Sequence, residues 1–167
     1  MEFKEAKNKF ISTWGALGTT WGINKAMAQI HALLFISPDP LSMEDIMEEL
    51  GISRGNTSMN LRQLIDWGIV YKENMPGERK EYFVSEKDVT ELARQVAKER
   101  SRREIEPSIR VLSEVSNIEG DGTAKTEEFI KKTKELYDLA DTANSLLLRM
   151  VNQEQNWITK TVIKLFK

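Results

Sequence analysis

Arg54, Asn56, Ser58, Met59, Asn60, Arg62 and Gln63 stand close together in the chain, and no acidic residue interrupts them before Asp66. Most of these side chains suit the edges of DNA bases. Arginine pairs with guanine O6 and N7, while asparagine and glutamine pair with adenine N6 and N7. Serines at helix N-termini suit phosphate, which adds Ser42 and Ser53 to the set. Helical periodicity places Leu61, Leu64 and Ile65 on an inward face and leaves the polar set largely outward. Gly55 in the first turn costs about 1 kcal/mol against alanine. Close approach of another backbone, or simple tolerance in a fraying turn, accounts for it equally well.

The flanking residues supply the elements that would hold this set. Ser42 opens an apolar-periodic run of Met43, Ile46, Met47 and Leu50, with Asp45 placed to complete a capping box. Gly51 stops that helix and Ser53 caps the next, which runs to Gly68. Two helices joined by a short glycine turn form a motif whose second helix can enter a major groove. A strand over 69–72, a turn over 74–79 and a strand over 80–84 then predict a hairpin. Arg79 and Lys80 lie by its Pro76-Gly77 tip, where a wing would meet sugar-phosphate or a minor groove.

The run from Ile52 through Arg54, Asn56, Asn60, Arg62, Asp66 and Trp67 to Val70 resembles the DNA-binding helix of GbsR-type regulators, a branch of the MarR-like winged-helix repressors. The likeness extends upstream through Trp21-Gly22-Ile23 and residues 33–42, and downstream to residues 102–107. It implies a homodimeric, usually repressing transcription factor whose DNA affinity responds to a small effector. Some members of that branch govern compatible solutes such as glycine betaine and respond to choline.

A chain of 167 residues can bury a core as one unit or as a small domain plus an assembly arm, and the second reading is preferred. It contains no cysteine, which excludes disulfides and thiolate metal sites; neither a metal nor a cofactor is expected. No signal-like segment and no long apolar run is present, so cytoplasmic localisation without membrane association is expected. The net charge of −2 opposes attraction to phosphate. Its distribution matters more: Glu44, Asp45, Glu48 and Glu49 make one helix acidic, whereas the polar face and the hairpin tip are mostly basic.

Outside the motif the sequence predicts helices. Phe3, Phe10, Trp14, Leu17 and Trp21 form one seam, with Gly15, Gly18 and Gly22 either allowing close approach or breaking the helix. A helix over 24–36 turns Met27, Ile30 and Leu34 inward. Asp88 and Glu91 cap a charged helix that Pro107 should kink or interrupt. Its Arg94, Lys98, Arg102 and Arg103 reach DNA flanks or, as the preferred reading, form a solvated face beside glutamates. Phe129, Thr133, Leu136, Ala140, Ala143, Leu147 and Met150 form a heptad seam. Residues 157–167 pair apolar side chains with lysines and are read as packing on a partner's N-terminal helix, ahead of a membrane surface. Phe10, Trp14 and the seam residues Phe129, Leu136, Ala140, Ala143, Leu147 and Met150 are the candidates for dimerisation.

The expected architecture is mainly α with a small β-hairpin wing: a dimer-associated N-terminal helix over 1–23, a winged helix-turn-helix over 24–87 and a helical dimerisation region over 88–167. The expected function is sequence-specific binding of double-stranded DNA as a regulator, probing the major groove with helix 54–66 and flanking backbone or minor groove with wing 73–80. An effector such as a quaternary ammonium compound would be held by aromatic faces, with Trp14, Trp21, Trp67 and Tyr71 as candidates. The lone His31 reads as a satisfied core residue, and no catalytic constellation is visible, so an enzyme is not expected. The rival from another class is a protein-interaction adaptor that keeps a winged helix without binding DNA.

Overall fold

The computed structural model describes residues 1–152, so the segment 157–167 and the Met150 side chain lie outside the described residues. The chain divides into two compact units between Leu92 and Ala93. The first takes in the N-terminal helix together with the whole helix-turn-helix and wing.

Helix α1 (Phe3–Thr20) is unbroken, and it packs on α2 (Lys25–Ile36). The contact is made by the glycine side of α1, where Ile11, Gly15 and Gly18 are buried. A Cβ on Gly18 would sit 2.6 Å from Ala28 Cβ, and one on Gly15 would sit 2.7 Å from Gln29 Cγ. The glycines therefore permit close approach and do not break the helix. The aromatic seam expected here is only half used: Phe10 and Trp14 are half-buried, whereas Phe3, Leu17 and Trp21 are exposed.

The Asn24 side chain caps α2 by accepting from Ala26 N at 2.8 Å, and Met27, Ile30, Leu33 and Leu34 bury fully behind it. Strand β1 (Leu41–Ser42) leads into α3 (Met43–Leu50), then α4 (Arg54–Asp66), β2 (Val70–Asn74) and β3 (Glu81–Ser85). The strands form an antiparallel sheet in the order β1-β3-β2, with Lys72 opposite Phe83 and Leu41 also opposite Phe83. Two of these strands are the expected hairpin, and β1 is an addition the sequence did not announce. Ile46, Leu61, Leu64, Val70 and Phe83 close the core under α2 and the sheet. The architecture is a mostly helical winged helix-turn-helix.

Helix α5 (Val89–Arg100) begins at the expected cap, where Asp88 Oδ1 accepts from Thr90 N and Glu91 N at 2.8 and 3.0 Å. A π turn (Ser101–Ile105) follows and passes directly into α6 (Glu106–Ser116). The interruption expected at Pro107 takes the form of this π turn, which replaces the α-helical pattern immediately before the proline, itself in the first turn of α6. The acid beside the basic run is Glu99, itself buried, which accepts from Arg102 at 2.7 and 3.0 Å and from Arg103.

Helix α7 (Ala124–Asn152) packs on α6. Ile130, Thr133, Tyr137, Ala140, Asn144, Leu147 and Val151 are its more protected positions, and Asn144 accepts a 2.6 Å hydrogen bond from Ser101. The expected seam thus splits. Thr133, Ala140 and Leu147 lie on the protected side within the subunit, while Phe129, Leu136 and Ala143 stay exposed beside Leu139 and Leu146.

Candidate nucleic-acid interface

Ser42 caps α3 with both halves of a capping box: Asp45 N donates to its hydroxyl at 3.2 Å, and Asp45 Oδ2 accepts from Ser42 N at 2.8 Å. The Ser42 hydroxyl itself donates to the same carboxylate at 2.7 Å, and these bonds hold the Asp45 carboxyl below its ordinary range. Ser42 is 2% exposed, so it does not offer a hydroxyl to phosphate as expected from its place at a helix N-terminus. Its polarity is consumed by the cap. Gly51 ends α3 at φ 64, a left-handed conformation that a side chain would strain. Ser53 caps α4 by accepting from Asn56 N at 3.4 Å and remains exposed.

Leu61 and Leu64 anchor α4, and Thr57 buries with them by donating its hydroxyl to Ser53 O at 3.0 Å. Ile65, expected inward, is half-buried. Arg54, Met59 and Arg62 are exposed, while Asn56, Ser58 and Gln63 are half-buried along their edge. Asn60 departs from the expected outward set. It is fully buried, and its Nδ2 donates to Asn56 O at 2.8 Å and to Asn56 Oδ1 at 2.6 Å. An amide can satisfy its donors one turn back along its own helix, so polarity alone did not place it.

Arg54 Nη2 lies 2.5 Å from Glu44 Oε1. Arg54 also places Nη1 at 3.8 Å from Met43 Sδ. This partner was missed, although Glu44 belongs to the acidic block already visible on α3. Arg62 makes no hydrogen bond or ion pair with the described residues, and Arg79 and Lys80 are exposed at the wing tip, where Gly77 takes φ 84. The positive field of Lys80 reaches the α3 N-terminus, where it helps to lower the carboxyls of Glu44 and Asp45. An exposed helix face bearing two arginines therefore shares the unit with a basic loop tip.

The residues that orient these elements lie behind them. Lys87, just past β3, directs its ammonium to three carbonyls at the end of α2: Leu34 O at 2.6 Å, Phe35 O at 2.9 Å and Ser37 O at 2.7 Å. Burial pushes the lysine below its ordinary pKa. Near it His31 stacks between Trp14 and Phe35 at 6.3 and 6.0 Å. Burial, reinforced by the Lys87 charge, lowers His31 to about 4, and its Nε2 has no hydrogen-bond partner among the described residues. It is a core residue as expected, but that nitrogen is not satisfied.

The aromatic candidates for an effector occupy different surroundings. Trp14 stacks on Phe10 at 5.6 Å as well as on His31. Trp21 is 53% exposed at the end of α1. Trp67 caps the C-terminus of α4, and the Tyr71 hydroxyl lies 2.9 Å from Gly68 O and 3.1 Å from a Glu86 carboxylate oxygen. Among the described residues no helix is long and apolar enough to cross a membrane, and no cluster suited to a metal ion is found.

Residues 21–81 match the MarR family. The matched stretch contains α2, β1, α3, α4, β2 and the wing tip, which are the elements described above. The chain is also similar to a solved structure described as "Crystal Structure of a transcriptional regulator", with 16% sequence identity and a TM-score of 0.58 over 84% of this chain and 96% of that one. At that identity the likeness is one of fold. Comparison with curated proteins gives no match. The MarR match covers the helix-turn-helix, β2 and the wing tip and leaves α1, nearly all of β3, α5, α6 and α7 outside it.

Proposed function

We propose that this chain is a DNA-binding transcriptional regulator of the MarR-like kind, acting in the cytoplasm as a homodimeric repressor. The observation that carries the reading is the outer face of α4. Arg54, Met59 and Arg62 are exposed there without an acid before Asp66, on a helix anchored by buried Leu61 and Leu64. This helix enters the major groove, and Arg79 and Lys80 of the wing take flanking backbone or minor groove. The MarR match over residues 21–81 supports this role and weighs against an enzyme. A mobility-shift assay with DNA upstream of its own gene and of neighbouring transporter genes tests it. A retarded complex that survives excess unrelated duplex is expected; loss of the complex to that competitor would refute sequence specificity.

The exposed positions of α7 support the dimer. Phe129, Leu136, Leu139 and Leu146 are 47 to 67% exposed and lie at heptad spacing with Ala143. Two antiparallel copies would set Phe129 against the second copy's Leu146, Leu136 against its Leu139, and Lys132 against its small Ala143. The same register brings Glu128 beside the second copy's Arg149. A surface complementary to itself in this way is what a two-fold axis requires.

The narrower GbsR-type reading adds an effector with a quaternary ammonium group, for which exposed Trp21 is the most accessible of the four candidate aromatic faces. Calorimetry with choline and with glycine betaine tests it, and absence of heat with both removes it. A second reading has its own support: net charge −2 and the Glu44 hold on Arg54 favour an adaptor that binds protein through the same fold. In an adaptor, Arg62→Ala leaves any DNA association unchanged.

A further inference from the structure

The amide of Asn56 has a fixed orientation, and a neighbouring backbone carbonyl sets it. Asn60 Nδ2 donates one N–H to Asn56 O at 2.8 Å and the other to Asn56 Oδ1 at 2.6 Å. A backbone carbonyl only accepts, so the Asn60 atom facing it must be nitrogen; a flipped Asn60 would oppose two acceptors. The Asn56 atom meeting the second N–H must then be oxygen. Asn60 is buried at 0% exposure, which leaves it little room to swing away, and Asn56 sits half-exposed in the first turn of α4. The Asn56 oxygen is drawn to the protein side and its NH2 is left for whatever approaches the helix.

Recognition of adenine by asparagine needs both atoms of the amide on one accessible edge, Oδ1 accepting from N6 while Nδ2 donates to N7. Here the oxygen already holds a short hydrogen bond to a buried donor. Resting on the reading of α4 as a base-reading helix, we infer that Asn60 is a positioning residue that makes Asn56 a donor. Asn56 then selects base edges that present acceptors with no adjoining donor, guanine through O6 and N7 or thymine through O4, over adenine, whose N7 acceptor stands beside the N6–H donor. This reverses the adenine preference that the residue type alone would suggest.

Selection from a randomised duplex pool with wild type, Asn56→Ala and Asn60→Leu tests the inference, with a thermal melt of each variant as a check on folding. Wild type should enrich guanine or thymine at the half-site position whose preference disappears in Asn56→Ala alone. Asn60→Leu frees the amide to rotate, so adenine should enter at that position and the discrimination against it should fall by roughly 10-fold, while the rest of the site is kept. Adenine enriched by wild type at that position, or an unchanged preference in folded Asn60→Leu, would overturn it. If Asn60→Leu fails to fold, the base identified by comparing wild type with Asn56→Ala decides. A pool that yields no enriched sequence with wild type overturns the DNA reading itself, and the inference with it.

Discussion

Arg54 and Glu44 form an ion pair at 2.5 Å across the turn between α3 and α4, with side chains 64% and 47% exposed. The hydrogen bond from Arg54 holds Glu44 below its ordinary carboxylate range. A pair this exposed is screened by solvent and adds little, so a base edge or phosphate can displace the carboxylate. Glu44→Gln should therefore tighten duplex binding by up to about 5-fold in fluorescence anisotropy. Arg54→Ala should weaken cognate binding by about 1 to 3 kcal/mol with the melting temperature little changed. Equal affinities for wild type and both variants would remove Arg54 from the interface.

Gly55 separates a stability effect from a binding effect. A Cβ built on it meets no atom within 4 Å, so nothing inside the chain requires glycine there. Gly55→Ala should raise stability by about 1 kcal/mol through helix propensity, seen as a higher denaturant midpoint. If a DNA backbone comes close at this turn, the same variant binds more weakly although it is more stable. Binding at wild-type strength would show that the glycine is merely tolerated.

His31 gives a signed dependence on pH. Its pKa is about 4 when folded against 6.5 for the ordinary group. Above pH 6.5 it is neutral in both states and its contribution is fully present. Between 6.5 and 4 the unfolded chain binds a proton that the folded chain refuses, so stability falls as pH is lowered, by about 3 kcal/mol in all. Chemical denaturation at pH 7 and pH 4.5 should show a smaller acid loss for His31→Phe than for wild type. Equal losses would mean that His31 does not titrate as its burial requires.

The α7 surface is checked by assembly state. Leu136→Glu and Leu139→Glu place carboxylates at positions 52% and 67% exposed in the single chain, so the subunit fold should persist. Light scattering should report a dimer for wild type and a monomer for each variant, with DNA affinity reduced accordingly. Lys134→Glu, at an exposed position outside the seam, should leave the dimer intact. A dimer unaffected by both leucine variants would place the two-fold axis elsewhere.

The helix-turn-helix and its wing were legible because their signals are local. The Ser42 and Ser53 caps, the Gly51 turn, buried Leu61 and Leu64, and the hairpin with its tip at Gly77 all fall where the spacing puts them. What could not be read depends on partners. Asn60 and Thr57 hide polar groups by bonding to the preceding turn, so polarity was a poor guide to their side of the helix. Strand β1 has two residues and exists only through its pairing with β3. On α7 two apolar faces overlap in sequence, and only the packing of α6 separates the face used within the subunit from the face left open. On α1 the aromatic residues caught the eye, but it is the glycines that touch α2.

The Lys87 ammonium meets three carbonyls at the end of α2, within 2.6 to 2.9 Å. Three N–H groups splayed from one tetrahedral nitrogen suit three separated oxygens; a flat guanidinium sends its donors out in a plane and cannot reach all three. Exchange for arginine, conservative in charge, would thus be a geometric error at this post. The end of the strand pair is tied to the end of α2 by a tripod that suits lysine.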